Sequence, residues 1–341
     1  MKIWMDILTP KQLLFYELMA EKLEKRHKIL LTSRRYGEIE GLAKIHGYNP
    51  VMVGRFGGGT NSGKLDSAIS RMGKLADLIK KFSPDVAVSS CSPDAARVAF
   101  GLGIRHVAFS DSPHQNAIMR LTLPLSWKLL SPSMIPKKEF TRYGIAAKDI
   151  ITYRAVDAAV TIKRKTVPNK SLPFRDSKRK NILIRVEEEE ASYMPRSKKI
   201  APIISRIIAE HGGENIVILG RYPGQVQRLK RQFGGRARVI RMSFDGKHLL
   251  ENTDVFVGSG GTMTAESALL GVPTISYTAI SSVIEDYLTR RRLLRKETDP
   301  GKIARHIGRI LKSGHSNKKR AVKIVEQMED PSLKLLHTIR E

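Results

Sequence analysis

The chain has 341 residues, 41% of them hydrophobic, enough for two domains each with its own core. One cysteine, Cys91, excludes an internal disulfide framework and a multi-thiolate metal site. Sixty Lys and Arg against thirty-three Asp and Glu give a formal net charge of +27, carried by both halves of the chain. That excess either aids solubility or draws polyphosphates, anionic lipid or nucleic acid.

Residues 1–165 read as repeated strand–helix units. Lys2 to Ile7 is a first strand, and Thr9-Pro10 opens an amphipathic helix with Leu13, Leu14, Leu18 and Leu23 on one side. Further strands are expected at Lys28 to Thr32, Val51 to Gly54, Asp85 to Ser89 and Arg105 to Phe109. Helices are expected at Glu38 to His46, Lys64 to Phe82 and Asp94 to Gly101. Such alternation implies a parallel sheet with helices on both faces. The stretch Lys163 to Lys180 is basic, holds two prolines and lacks periodicity, so 166–180 is expected as a linker.

The pattern restarts with strands at Asn181 to Arg185, Asn215 to Leu219 and Arg238 to Arg241. A helix is expected up to about His211, with others at Gln225 to Phe233, His248 to Glu251, Ser282 to Leu288, Pro300 to Ser313 and Asn317 to Met328. The predicted organisation is two doubly wound, Rossmann-like α/β domains, 1–165 and 181–341, with a cleft between them. The last helix is free to pack back on the first domain. Ligands of such sheets lie at the carboxyl ends of the strands.

The stretch that organises the chain is Asp254 to Tyr277, DVFVGSGGTMTAESALLGVPTISY. A buried strand meets Gly258, Gly260 and Gly261, where the backbone can turn sharply and stay uncovered. A helix follows from Thr262 or Thr264 through Glu266, ended by Gly271 and blocked by Pro273 before a second strand. A glycine turn feeding a helix N-terminus suits an anion, because free N–H groups and the helix dipole point the same way. Ser259 and the amides of Gly260 to Thr262 can donate to phosphate, and Glu266 can accept from two ribose hydroxyls. The structural alternative is a tight connection with a glutamate favoured by the helix dipole.

GSGGTMTAESALLGVPTISY resembles the nucleotide-binding signature of GT-B glycosyltransferases and UDP-N-acetylglucosamine 2-epimerases. In those enzymes a Ser-Gly-Gly or Ser-Gly-Ala turn holds the diphosphate, a glutamate early in the next helix takes the ribose, and a Gly-x-Pro follows. The matching positions are Ser259, Gly260, Gly261, Glu266, Gly271 and Pro273. The serine-to-glutamate spacing is that of the bacterial lipid-II-forming N-acetylglucosaminyltransferase. Within that superfamily the whole chain is similar to a family of mainly archaeal proteins of unknown function, through ILIR at 182–185 and Glu190-Ala191-Ser192-Tyr193. The resemblance implies a GT-B-like fold, a UDP-sugar substrate and no required cofactor or bound metal.

The loop Ser110 to Ala117 follows the fifth strand. His114 and Asp111 are its possible general bases. Gln115-Asn116-Ala117 looks like the His-Glu-Gln-Asn-Ala segment of the transferase, with the histidine displaced by one place, and Asn116 joins the candidate sugar-nucleotide contacts. Gly220-Arg221 ends a strand of the second domain, and Arg221 can pair with a diphosphate. Arg185 is a weaker phosphate candidate. By resemblance, Met242 to Gly246 is the loop nearest the nucleobase. Asp6, Thr9 and Lys11 follow the first strand, where related enzymes meet acceptor or phosphate.

Other signals weigh against function. Gly58 to Lys64 reads GGTNSGK, but Leu65 stands where a P-loop needs Ser or Thr for Mg²⁺. Glu187 to Glu190 reads as a solvated turn, with Glu190 the exception by family resemblance. Cys91 is expected to be inert. No apolar run reaches the roughly 18–20 residues of a membrane span, and the N-terminus lacks a signal peptide's apolar core. A cytoplasmic protein is therefore expected.

Two rivals stay open. One is epimerisation at C2 of UDP-N-acetylglucosamine, for which Asp94 lies in about the right loop. The other is a non-catalytic basic protein that binds nucleic acid or an anionic membrane. Only 6% aromatic residues argue against specialised single-strand binding, so no specific nucleic-acid partner is expected. Peripheral contact with anionic membrane is kept.

Overall fold

The computed structural model describes the whole chain apart from residues 169–170, 188–199, 242–244, 278–281 and 315, and apart from the side chains of residues 37–38. It divides into two compact units, Met1–Arg164 with Met328–Glu341, and Lys165–Gln327.

The first unit holds a seven-stranded sheet, with β1 at Lys2–Ile7, β2 at Lys28–Arg35, β3 at Val51–Arg55 and β4 at Val86–Ser89. It continues with β5 at Arg105–Phe109, β6 at Lys128–Pro132 and β7 at Ile150–Tyr153. The order is β3-β2-β1-β4-β5-β6-β7, and every pairing is parallel. The chain reverses direction across the sheet at β1 and β4. Crevices form at such a switch, outside the carboxyl ends of the strands. An edge-to-face aromatic group supports that end from below, with Phe15 and Phe109 centroids 5.4 Å apart and Phe15 and Tyr16 5.3 Å apart.

The second unit holds β8 at Asn181–Arg185, β9 at Asn215–Gly220, β10 at Arg238–Arg241, β11 at Val255–Gly258, β12 at Thr274–Ser276 and β13 at Leu294–Lys296. Its order is β10-β9-β8-β11-β12-β13, again parallel, with the reversal at β8 and β11. Ile182, Ile184, Ile218 and Val257 of the sheet pack with Ile204 and Ile207 of the helix Ile200–His211 and with Ile303 and Ile307 of the helix Pro300–Ser313. These near-continuous apolar strands are what a sheet covered on both faces requires.

Three strands escaped the pattern. β6 and β7 lie in a stretch of short turns, and β13 has three residues with Arg295 exposed. The long helix spans Asn61–Phe82, because Thr60 accepts from the Gly63 amide and starts it before Lys64. Part of the loop expected before Lys64 is therefore helix. A last helix, Pro331–Thr338, lies beyond the expected end of structure at Met328. Asp330 caps it, and the helix packs against β6 and β7.

Candidate functional site

In the second unit, β11 ends at Gly258, where an added Cβ would lie 2.5 Å from both the Phe256 ring and Thr264 Oγ1. The chain then passes through Gly260 at φ +101° and Gly261 at φ +82°, conformations that favour glycine. Gly261 is the N-cap of the helix Thr262–Leu269, and no side chain caps that end. The first N–H groups of a helix have no partner within it, so an uncapped end presents donors outward. Ser259 and Thr262 are partly exposed beside these amides, and Glu266 is buried one turn further in. The sheet reverses at β8 and β11, so the turn stands where this topology receives ligands.

The carboxyl ends of β8, β9 and β12 are tied together beside that turn. Arg185 Nη1 donates to the Gly220 carbonyl at 3.2 Å, which gives this weaker phosphate candidate a protein partner. Gly220 has a packing reason of its own, since a Cβ there would lie 2.6 Å from Val226 Cγ2. The Arg221 amide donates to Gln225 Oε1 at 2.8 Å, and Gln225 Nε2 donates to the Glu187 carbonyl at 3.0 Å. Arg221 thus stands at the carboxyl edge, one strand from β8. Tyr277 donates to Glu187 Oε2 at 2.5 Å, with Ser259 beside the phenol. Burial and the Glu187 charge drive the Tyr277 pKa well up, so the hydroxyl keeps its proton.

Glu187 therefore departs from expectation. It is 7% exposed and hydrogen-bonded, not part of a solvated turn. Met242 and Glu190 lie outside the described residues. The Glu187–Tyr277 pair was hidden because its members are 90 residues apart in sequence and meet only when β8 and β12 flank β11. Tyr277→Phe is expected to lower stability by about 1–3 kcal/mol by leaving the Glu187 carboxylate without its buried donor, a loss that urea unfolding would measure.

In the first unit, Lys11 Nζ bridges two carboxylates. It contacts Asp111 closely and lies 3.2 Å from Asp157, which also accepts from the Tyr153 hydroxyl at 2.6 Å. Burial pushes the Asp111 carboxyl up, but the Lys11 ammonium more than offsets this and holds it below the usual range. Burial and the Asp111 charge raise Asp157 to about 6. Asp111, one of the two possible general bases, is thus an ion-pair partner of Lys11. Its lone pairs are committed to Lys11 and the Ser112 hydroxyl, and a lowered pKa makes it a weak base.

His114 sits exposed on the same loop, and partial burial lowers its pKa, with Lys11 adding to the effect and Asp111 opposing it. It is therefore neutral, and able to accept a proton, near pH 7. Asn116 starts the helix Asn116–Thr122, and the Tyr143 hydroxyl sits between its Oδ1 and the Pro113 carbonyl. That contact gives Asn116 a role in holding the loop.

The remaining first-unit candidates have partners within the protein. Thr9 caps the helix Pro10–Glu24. Asp6 is fully buried and accepts from Arg71, Thr32 and Ser92. Asp94 accepts from Arg71 Nη1 at 3.0 Å. Cys91 is buried at φ +51°, and burial pushes its thiol up to about 12, which makes it unreactive at neutral pH. Residues 57 and 58 line a groove of about 950 Å³ with Arg35, Arg55 and Lys74.

Asp157 gives a pH signature. Its folded pKa of about 6 lies above the ordinary 3.8, so the fold binds its proton more tightly than the unfolded chain does. The stability this gives is complete below the unfolded value and is lost as pH rises towards 6. Asp157→Asn is expected to raise the melting temperature at pH 7 and to lose that advantage near pH 4. Thermal melts across this range check it.

The family model described as a protein of unknown function (DUF354) matches residues 1–339. The chain belongs to that family. It is 27% identical over 281 residues to the uncharacterized protein MJ0665 of Methanocaldococcus jannaschii, covering 80% of this chain and 81% of that one. Among solved structures it is similar to a UDP-GlcNAc 2-epimerase from Neisseria meningitidis bound to UDP-GlcNAc. The TM-score is 0.74 at 13% identity, over 99% of both chains. It is also similar to the spinosyn rhamnosyltransferase SpnG, with a TM-score of 0.63 at 16% identity, over 100% of this chain and 99% of that one. The fold of this DUF354 protein is thus GT-B, two Rossmann-like domains shared by epimerases and glycosyltransferases.

Among the described residues, no helix is long and apolar enough to cross a membrane. Among them, too, no group of three or more His, Cys, Asp or Glu is placed to hold a metal ion.

Proposed function

We propose that this DUF354 protein binds a nucleotide sugar, UDP-linked, and acts as a glycosyltransferase. The observation that carries the proposal is the turn at 258–262. Gly258 has no room for a Cβ, Gly260 and Gly261 take positive φ, the turn opens an uncapped helix, and Glu266 is buried one turn further in, where the resemblance would have it take the ribose. The amides of 260–262 and the Ser259 hydroxyl would hold the diphosphate, and Arg221 would add charge. Donors fixed at that place stabilise the negative charge that grows on a departing diphosphate. His114, neutral near pH 7, is the proposed base that takes the proton of an acceptor hydroxyl. The Lys11–Asp111–Asp157 cluster would set the field around it.

Epimerisation is the second reading, favoured by the closer likeness to an epimerase fold. Against it, Asp94, the aspartate sought for that chemistry, is paired with Arg71, and its side chain is only 13% exposed. Product analysis separates the two. A transferase releases UDP from a UDP-sugar only when an acceptor is added. An epimerase yields a second UDP-sugar without one, and that result would reverse the preference. Non-specific binding to RNA or to vesicles of anionic lipid would instead show a steep salt slope without preference for any nucleotide.

A further inference from the structure

The loop GGTNSGK at 58–64 has no part in the proposed function. It borders the groove of about 950 Å³ in the first unit, at the edge of the seven-stranded sheet. Leu65 removes the hydroxyl that a P-loop gives to Mg²⁺, and the Gly63 amide is already taken by Thr60. Holding an anion here depends on side chains, and the strands supply them.

Between the register pairs Ser33–Met52 and Arg35–Arg55, β3 holds one residue more than β2. Gly54, at φ +72°, takes up the extra residue, and a Cβ there would lie 3.0 Å from Arg71 Cβ. In an unbroken register Arg35 would face Gly54. The shift sets it opposite Arg55 instead, on strands about 4.8 Å apart. The Phe56 amide fixes this pairing by donating to the Arg35 carbonyl at 3.0 Å, and the Ser67 hydroxyl donates to the Arg55 carbonyl at 2.5 Å. Lys74 of the helix Asn61–Phe82 is a third cation on the lining, and the Arg34 guanidinium lies 5.0 Å from the centre of the Phe56 ring. Among the described residues, no carboxylate pairs with Arg35, Arg55 or Lys74. One acid, Asp66, shares the lining, which leaves it a formal +2. Like charges drawn together by a register shift repel one another, a cost that a bound anion removes.

Charge and volume limit what that anion is. A phosphate monoester carries about −1.5 to −2 near pH 7 and can accept from two guanidinium forks and an ammonium together, whereas a single carboxylate is matched by one fork. The volume lies near the top of the roughly 300–1,000 Å³ of small-molecule sites, so it leaves room for an organic portion along Met52 and Phe56. We infer that this groove is a second ligand site, which holds the phosphate group of a phosphorylated small molecule between Arg35, Arg55 and Lys74. It belongs to the first unit and does not rest on the nucleotide-sugar reading of the glycine turn.

The test is calorimetric titration of the full chain with inorganic pyrophosphate and, separately, with citrate, in a Gly260→Val background that removes the other phosphate site. Saturable binding of pyrophosphate, tighter than that of citrate, is expected. Arg35→Ala together with Arg55→Ala should weaken it roughly tenfold or more, and Lys74→Ala alone by less. Arg305→Ala with Arg309→Ala, two exposed positions on the helix Pro300–Ser313, removes the same charge and should change it by no more than about twofold. Thermal melts check that each variant is folded. Equal weakening by the two pairs would show attraction to the whole positive molecule, and the inference fails. Citrate binding as tight as that of pyrophosphate, or no saturable binding of pyrophosphate, also overturns it. The proposed function stands or falls separately, on nucleotide-sugar binding by the wild type.

Discussion

Arg71→Met is expected to be the most destabilising single change in the first unit, lowering its stability by about 3–5 kcal/mol. Arg71 is 1% exposed, and its guanidinium donates to Asp6 Oδ1 at 2.5 Å, Asp6 Oδ2 at 3.2 Å, Asp94 at 3.0 Å and the Val53 carbonyl at 3.0 Å. It ties the ends of β1 and β3 to the helix Pro93–Gly101. Methionine fills much of the volume but removes the cation, which leaves Asp6 ionised and fully buried. A loss of that size would lower the melting temperature by on the order of 10 °C in a unit of this size.

The same network sets an acid limit. Burial raises the Asp6 pKa, but the Arg71 charge and hydrogen bonds from Arg71, Thr32 and Ser92 outweigh it and bring it below 3.8. Its stabilisation is present above the ordinary carboxylate pKa and fades as pH falls through the lowered one. Asp6→Asn should be more tolerable than Arg71→Met, since it leaves no unpaired buried charge and Arg71 keeps Asp94. Urea unfolding of the two variants gives the ranking, and the reverse order would contradict this account of the pair.

Gly260→Val is expected to abolish nucleotide binding while leaving the first unit intact. Valine disfavours φ near +101° strongly, and even a Cβ would lie 3.2 Å from the Glu285 carboxyl. The strain falls on the turn itself, so the amides of 260–262 lose their common aim. An affinity loss of about 100-fold or more corresponds to roughly 3 kcal/mol, the scale of misplacing several donors together. Ser259→Ala removes one donor without strain and should cost about tenfold or less. Titration with UDP-N-acetylglucosamine would distinguish a geometric site from one built on a single hydroxyl.

The legible parts of the chain were those with local causes. Gly258 to Pro273 spells its own turn, helix and strand, and the structure meets it within a residue. β1, β5, β8 and β10 follow from short apolar runs between turn residues. What stayed hidden depends on contacts far apart in sequence. Asp111 looked like a base because its loop is polar, yet Lys11 reaches it from 100 residues away. Asp157 lay in a stretch without periodic signal, so its place beside Lys11 depends on β7 completing the sheet. Spacing along the chain cannot report such pairs, because burial and charge compensation are properties of the folded unit.

The central claim is that the second unit holds a nucleotide sugar through the 258–262 turn and Glu266. It is tested most directly by thermal-shift screening of the whole chain with UDP-, GDP-, CDP- and ADP-sugars, repeated with Glu266→Ala. A ligand that binds only the folded state raises its melting temperature, and at 100 times its dissociation constant it adds about 2.7 kcal/mol. The account predicts clear stabilisation by a UDP-sugar and its near loss in Glu266→Ala, each shift read against that protein's own unliganded melting temperature. No stabilisation of the wild type by any of the four, or equal stabilisation of both proteins, would contradict it.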